Sequence, residues 1–301
     1  YDNPWVTFER ILHSLAAGGA DAEDAWLRVM PTWLSYKLHL PQLVRQKLRY
    51  DGPIFPEMHH RSHAASAFLP SPFSRAAILT VDGVGEWATA SIGRGEGRRI
   101  ELLEELEFPH SLGLLYSAFT QYTGFKVNNG EYKMMGLAPY GEPIHTDAIK
   151  EKIARVFDDG SIAMDLSRFA FLTEPRMTNE DFGNVFGGPA RTPESRISRR
   201  EMDISRSIQH VTEEALLKMA AHAYELTGER NLVMSGGVAL NCVANGRILR
   251  EGPFDDIWIQ PAAGDSGSAL GAALDCYYNR LDNERPDPGG LSLQGGSYLG
   301  P

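Results

Sequence analysis

The chain has little cysteine, no long apolar run and no surplus of basic charge. Only two cysteines, Cys242 and Cys276, occur in 301 residues. Neither belongs to a CxxC pair, so a disulfide framework and a thiolate zinc knuckle are both excluded. Both are expected to be small buried residues in a reducing, cytoplasmic setting. The apolar runs are short pieces such as Ala76-Ala77-Ile78-Leu79, far from the roughly 20 residues that span a bilayer, so no membrane is expected as a partner. No signal-peptide pattern opens the chain. With 29 basic against 39 acidic residues the net charge is −10, which argues against nucleic acid held on a broad basic face. A small cationic pocket for phosphate stays open. The first residues are Tyr1-Asp2-Asn3-Pro4 rather than Met, which reads as a piece of something longer.

What is present is an α/β pattern. Phe8, Ile11, Leu12 and Leu15 recur at helical spacing, which predicts a helix from Phe8 to Ala17. Trp26 to Tyr50 reads as further helix, divided by Pro31 and Pro41. His59 to Phe68, rich in alanine, reads as a helix stopped by Pro70 and Pro72. Ala76 to Val81 predicts a buried strand, Trp87 to Ile92 its hairpin partner, Gly93 to Gly97 a turn and Ile100 to Leu106 a third strand. Leu112 to Tyr122 reads as a helix, and Tyr116, Phe119, Tyr122 and Phe125 as a core stripe. Residues 142–200 carry little pattern and are expected to form an insertion or peripheral subdomain. A long helix through Ile204, Ile208, Val211, Ala215, Met219 and Ala223 stops at Gly228. Two units of strand, glycine turn and helix follow, with strands at Asn231–Met234 and Ile257–Gln260 and turns at Ser235-Gly236-Gly237 and Gly264-Asp265-Ser266-Gly267. From Glu284 the chain turns rich in Pro and Gly, as in a linker.

Two features bear on chemistry. His59 and His63 stand four apart, so on a helix their imidazoles share one face. Such a pair can hold a metal ion, although His60 stands where a zincin has its glutamate. An isolated pair at this spacing more often merely packs or meets solvent, so the site needs oxygen ligands from elsewhere. Asp82 and Asp265, each at or just after a strand end, are the candidate oxygen ligands, and such a set suits Fe(II), Mn(II) or Zn(II). Glycine turns after three strands, including Gly83 and Gly85 beyond Asp82, let a nucleotide approach the backbone. The stretch from Asn128 to Gly141 adds Gly130, Glu131 and Lys133, fit for ribose hydroxyls and phosphate, or for an ordinary solvated loop.

Together HHRSHAASAF, ILTVDGVGEWATASIG, FPHSLGLLYSAFTQYTGF, NNGEYKMMGLAPYGEP, SGGVALNCVANGRIL and IWIQPAAGDSGSALGAAL resemble the O-carbamoyltransferases of the NodU and tobramycin-carbamoyltransferase type, from about Pro4 to the C-terminus. The resemblance implies an actin-like ATPase (RNase H-like) superfold, incomplete at its N-terminus for want of an opening strand hairpin. It implies a domain over residues 1–283, with 284–301 leading to an absent YrdC-like domain. In such proteins carbamoyl phosphate and ATP become carbamoyl-adenylate in the YrdC-like domain, and the actin-like domain passes the carbamoyl group to an acceptor hydroxyl. Carried over by position, His59, His63, Asp82 and Asp265 match the metal ligands, with Fe(II) favoured. Ser235, Gly236, Gly237 and Asn241 match the nucleotide-side turn and helix, and Gly130, Glu131 and Lys133 the block near ribose and phosphate, with AMP as leaving group. No residue is marked as the catalytic base. The alternatives are an actin-like sugar kinase or ATPase, in which the histidine pair has no role, and a non-catalytic nucleotide-binding fragment.

Overall fold

The computed structural model describes residues 2–297. Three helices open it, α1 (Pro4–Gly18), α2 (Glu23–Ser35) and α3 (Leu40–Leu48). Leu15, Ala22, Ala25 and Met30 give them a small core of their own. Pro31 does not divide this region as expected, but sits inside α2. It costs the helix one hydrogen bond, to the carbonyl of the exposed Leu27, which water can satisfy. Helix α4 (His59–Phe68) has the predicted bounds, and nine of its ten residues are buried. A helix covered on all sides must be made of small residues where neighbours come close, which accounts for its alanines and serines.

The strands β1 (Arg75–Val81), β2 (Ala88–Glu96) and β3 (Arg99–Glu107) form an antiparallel meander. The expected turn at Gly93–Gly97 is a correction, because β2 runs on through Glu96. Gly93 and Gly95 lie on one face of that strand, and a Cβ on Gly95 would stand 2.6 Å from the ring of Phe68. Gly95 therefore lets α4 lie on the sheet, and Gly93, where a Cβ would stand 2.4 Å from the Glu101 carbonyl oxygen, lets β3 approach, so neither turns the chain. Next come α5 (Leu112–Tyr122), α6 (Glu131–Leu137), α7 (Thr146–Lys152), the short pair β4 (Ala154–Val156) and β5 (Ile162–Met164), and α8 (Glu180–Val185). The stretch 142–200 is not peripheral. Ile149, Ile162, Phe169, Phe182 and Phe186 join the main core together with Phe119 and Tyr122. Its signal in the sequence was weak because short elements carry little periodicity.

Helix α9 (Arg199–Thr227) spans 29 residues, opened by a Ser198–Glu201 capping box and closed by Gly228 in the left-handed conformation. The chain ends with β6 (Asn231–Ser235), α10 (Cys242–Glu251), β7 (Asp256–Ile259) and α11 (Asp265–Asp275). The sheet order is β3-β2-β1-β6-β7, with β1, β6 and β7 parallel. A meander continued by two parallel strands is the arrangement an RNase H-like lobe requires, in agreement with the α/β expectation. Cys242 is exposed and Cys276 half-buried, against the expectation for both. Cys242 falls on the exposed side of the first turn of α10 beside Val243, while Ala244 and Asn245 take the buried side. Residues 284–297 carry no helix or strand. The guanidinium of Arg285 nevertheless ties them down, donating to the carbonyls of Phe68, Leu69, Ser71, Phe73 and Gly97. Among the described residues no helix is long and apolar enough to cross a membrane.

Candidate metal centre

The close contact of α4 and α11 builds the site. A Cβ on Gly271 would stand 1.8 Å from the carbonyl oxygen of Ser62, so only glycine lets the two backbones meet there. This contact brings Asp265, at the start of α11, over the histidine pair at the start of α4. Asp82 follows the last residue of β1, where the ends of parallel strands open a crevice. Gly85 allows the following loop to fold back, since a Cβ there would stand 2.7 Å from Cβ of His59.

His59, His63, Asp82 and Asp265 converge, each offering one ligand atom, all within 4.8 Å of one another. Asp82 Oδ2 lies 2.8 Å from His59 Nε2 and 3.1 Å from His63 Nε2. The two Nε2 atoms are 3.1 Å apart, and Asp265 Oδ1 is 3.6 Å from each. Donors held about 2.1 Å from one ion stand about 3.0 Å apart at a right angle and about 3.4 Å apart at the tetrahedral angle. The spacings fall around those values, and two imidazoles with two carboxylates form a donor set for a borderline or hard divalent cation. The residues therefore fit a metal ion.

The remaining atoms of His59, His63 and Asp82 are engaged as well. His59 Nδ1 meets Asp2 Oδ1 at 3.2 Å, and the Glu86 carboxylate accepts from the His59 backbone N–H at 3.0 Å. His63 Nδ1 meets the hydroxyls of Ser235 and Ser268, both at 3.1 Å. Asp82 Oδ1 accepts from the Gly237 N–H at 2.9 Å. Asp2, Glu86 and Ser268 are thus functional neighbours that sequence reasoning missed. A lone acid or serine carries no spacing signal, and only folding brings these three to the cluster.

These contacts set the charge of His59, His63 and Asp82. Burial pushes the His59 imidazole down, but hydrogen bonds to Asp2 and Asp82 outweigh it and raise the group to about 10. His63 is likewise raised against its burial, by Asp265 and Asp82. Burial favours the neutral Asp82 carboxyl, yet its two histidine partners hold it far below the usual carboxylate range.

The residues expected at nucleotide are more dispersed. Gly83 is open, and a Cβ there would meet nothing nearer than Leu114 at 4.0 Å. Gly236 has φ +98°, and its Cα faces the backbone of Val81. The Ser235 side chain is buried and turned to His63. The Asn241 amide is also committed: its Oδ1 accepts from the Ala244 N–H, capping α10, and from Gln209 Nε2. Among the described residues Gly130, Glu131 and Lys133 make no hydrogen bond or ion pair with the histidine–aspartate cluster. Glu131 closes its own loop, accepting from Ser117 Oγ and from the N–H groups of Asn128 and Gly130. Lys133 is exposed and forms no ion pair among the described residues.

A mixed sheet with helices packed on it, and four side chains converging beside its parallel strand ends, defines the chain as an α/β domain with a strand-end crevice. Residues 12–274 match the family model described as carbamoyltransferase N-terminus, and the chain belongs to that family. It is 50% identical to the uncharacterized protein sll1178 of Synechocystis, over 100% of this chain and 50% of that protein. It is 38% identical to the nodulation protein NolNO of Sinorhizobium fredii, over 76% of this chain and 32% of that protein. The chain thus spans half or less of the length of these relatives. Among solved structures it is similar to HypF of T. kodakarensis, with a TM-score of 0.43 and 14% identity over 85% of this chain and 40% of that one. That likeness is too loose to assign a function.

Proposed function

We propose that this chain is the acceptor-side domain of an O-carbamoyltransferase, moving a carbamoyl group from carbamoyl-adenylate to a hydroxyl. The observation that carries the reading is the convergence of His59, His63, Asp82 and Asp265 in a member of the carbamoyltransferase family. The ion they suit is divalent, Fe(II) before Mn(II) or Zn(II). When bound, it supplies Lewis acidity toward phosphate and carbonyl oxygens. The protein's own task is to hold the ligands in place, align the acceptor hydroxyl and keep water out, because hydrolysis would waste the adenylate.

The nucleotide portion is assigned to the crevice between the Asp82–Gly85 turn and the Ser235–Gly237 turn. Support comes from the open backbone at Gly83 and from the joining of the two turns, since Gly237 N–H donates to Asp82 Oδ1 at 2.9 Å. The exposed ammonium of Lys133 is free to meet phosphate. Residues 1–283 then form the transfer domain, and 284–301 lead toward a YrdC-like domain that makes the adenylate from ATP and carbamoyl phosphate. The acceptor is a small molecule with a hydroxyl group, and the setting is cytoplasmic.

The test measures pyrophosphate release and carbamoylated product separately in the full-length protein. Asp82→Asn is expected to lower transfer at least tenfold while adenylate formation continues. Equal loss of both steps would refute the assignment. Residues 1–301 alone are expected to release no pyrophosphate from ATP and carbamoyl phosphate, and robust release would place the adenylating chemistry in this domain.

A further inference from the structure

The turn Ser235-Gly236-Gly237 touches two of the four candidate ligands, and they come from different elements. Gly237 N–H donates to Oδ1 of Asp82, leaving Oδ2 toward the histidines. Ser235 Oγ, fully buried, lies 3.1 Å from His63 Nδ1. A hydroxyl has one proton to give and two lone pairs. The Ser235 proton has an acceptor in the carbonyl of Ala263 at 3.1 Å, whose other lone pair takes Gly236 N–H. The neighbouring Ser66 hydroxyl, 3.1 Å from Ser235 Oγ, donates to the His63 carbonyl at 2.8 Å. With both serine protons placed in this way, Ser235 turns a lone pair toward the imidazole.

We infer that Ser235 is a positioning residue that accepts a hydrogen bond from Nδ1–H of His63, so that Nε2 is the nitrogen turned to Asp82 and Asp265 and offered to an ion there. The inference rests on the metal reading above, but concerns the chain's own hydrogen bonds. It moves Ser235 from the nucleotide to the ligand sphere of the cluster. The buried hydroxyl is directed at the histidine ring, and only the backbone of the turn faces the crevice. The second contact of Nδ1, Ser268, is half-exposed and also lies 3.4 Å from Nε2, so it selects less sharply between the two nitrogens. Ligating histidines commonly have the non-ligating nitrogen held by such a partner, and its loss typically costs 10–100-fold in metal affinity.

The experiment combines Zn²⁺ titration against a competing chelator with ¹⁵N–¹H spectra of the histidine side chains, on wild type, Ser235→Ala, Ser235→Thr and Ser268→Ala. Wild type is expected to show a His63 Nδ1–H resonance protected from exchange, with or without Zn²⁺. Ser235→Ala should lose that protection and bind Zn²⁺ about 10–100-fold more weakly. Ser235→Thr, which restores a hydroxyl, should recover both, and Ser268→Ala should have the smaller effect. Wild-type affinity and an unchanged Nδ1–H in Ser235→Ala would overturn the inference, as would a wild-type His63 carrying its proton on Nε2 alone. Should wild type bind no Zn²⁺, Fe²⁺ or Mn²⁺ while the Nδ1–H resonance still depends on the hydroxyl at 235, the metal reading fails and the role of Ser235 stands.

Discussion

Replacing Gly271 with alanine tests whether the α4–α11 contact builds the site. The added Cβ would lie 1.8 Å from Ser62 O, 2.7 Å from Ser66 N and 2.9 Å from Ser62 C. Atoms of a backbone cannot turn aside as a long side chain can, so relief requires the helices to part by about 1 Å, against the close packing typical of interiors. Overpacking of this kind costs about 1–3 kcal/mol. A central value of about 2 kcal/mol corresponds to a Tm lower by roughly 4–8 °C. The same displacement carries Asp265 away from the histidines, whose Nε2 atoms it faces at 3.6 Å. Divalent-metal affinity should therefore fall at least about tenfold, equivalent to about 1.4 kcal/mol. Gly136→Ala is the control, because nothing lies within 4 Å of a Cβ there and the position is helical. It should leave metal binding unchanged and raise stability by up to about 1 kcal/mol. Calorimetric melting and chelator-competition titration read both effects. Wild-type Tm and metal affinity in Gly271→Ala would refute the reasoning.

Two further outcomes are expected. The metal-free protein holds His59 at about 10 instead of 6.5, so the stability this group contributes is complete below about pH 6.5 and disappears as pH rises through about 10. The Tm difference between wild type and His59→Gln, both without metal, should shrink over that window. Metal binding near neutral pH should release protons, read as a dependence of calorimetric enthalpy on buffer; a pH-independent Tm difference would remove the premise. Arg285→Ala deletes a guanidinium that donates to five carbonyls and stacks 4.7 Å above the ring of Phe68. Residues 284–297 should then be cut readily by protease while the domain's Tm falls only slightly, and unchanged proteolysis would refute that anchoring role.

Much of this protein is legible before folding. Helical periodicity marks α5 and α9, the alanine-rich run between prolines marks α4, and short apolar runs bounded by turn residues mark the β1, β6 and β7 strands. His59 and His63 announce a shared face by their spacing, and Asp82 and Asp265 by lying at strand ends. The glycines were harder to read. Gly93 and Gly95 look like a turn but make room for the Glu101 carbonyl and for Phe68, and Gly271 looks like any small helical residue until Ser62 is found beneath it. Glycine states only that a Cβ is missing, and which neighbour fills that space is a matter of tertiary packing. The partners of the ligands lie further still from view. Asp2, Glu86, Ser235 and Ser268 stand 57, 27, 172 and 205 positions from the histidine each one meets. Hydrogen bonds of that kind depend on distances of about 3 Å set by helix packing and strand register, and local pattern has no means of encoding them.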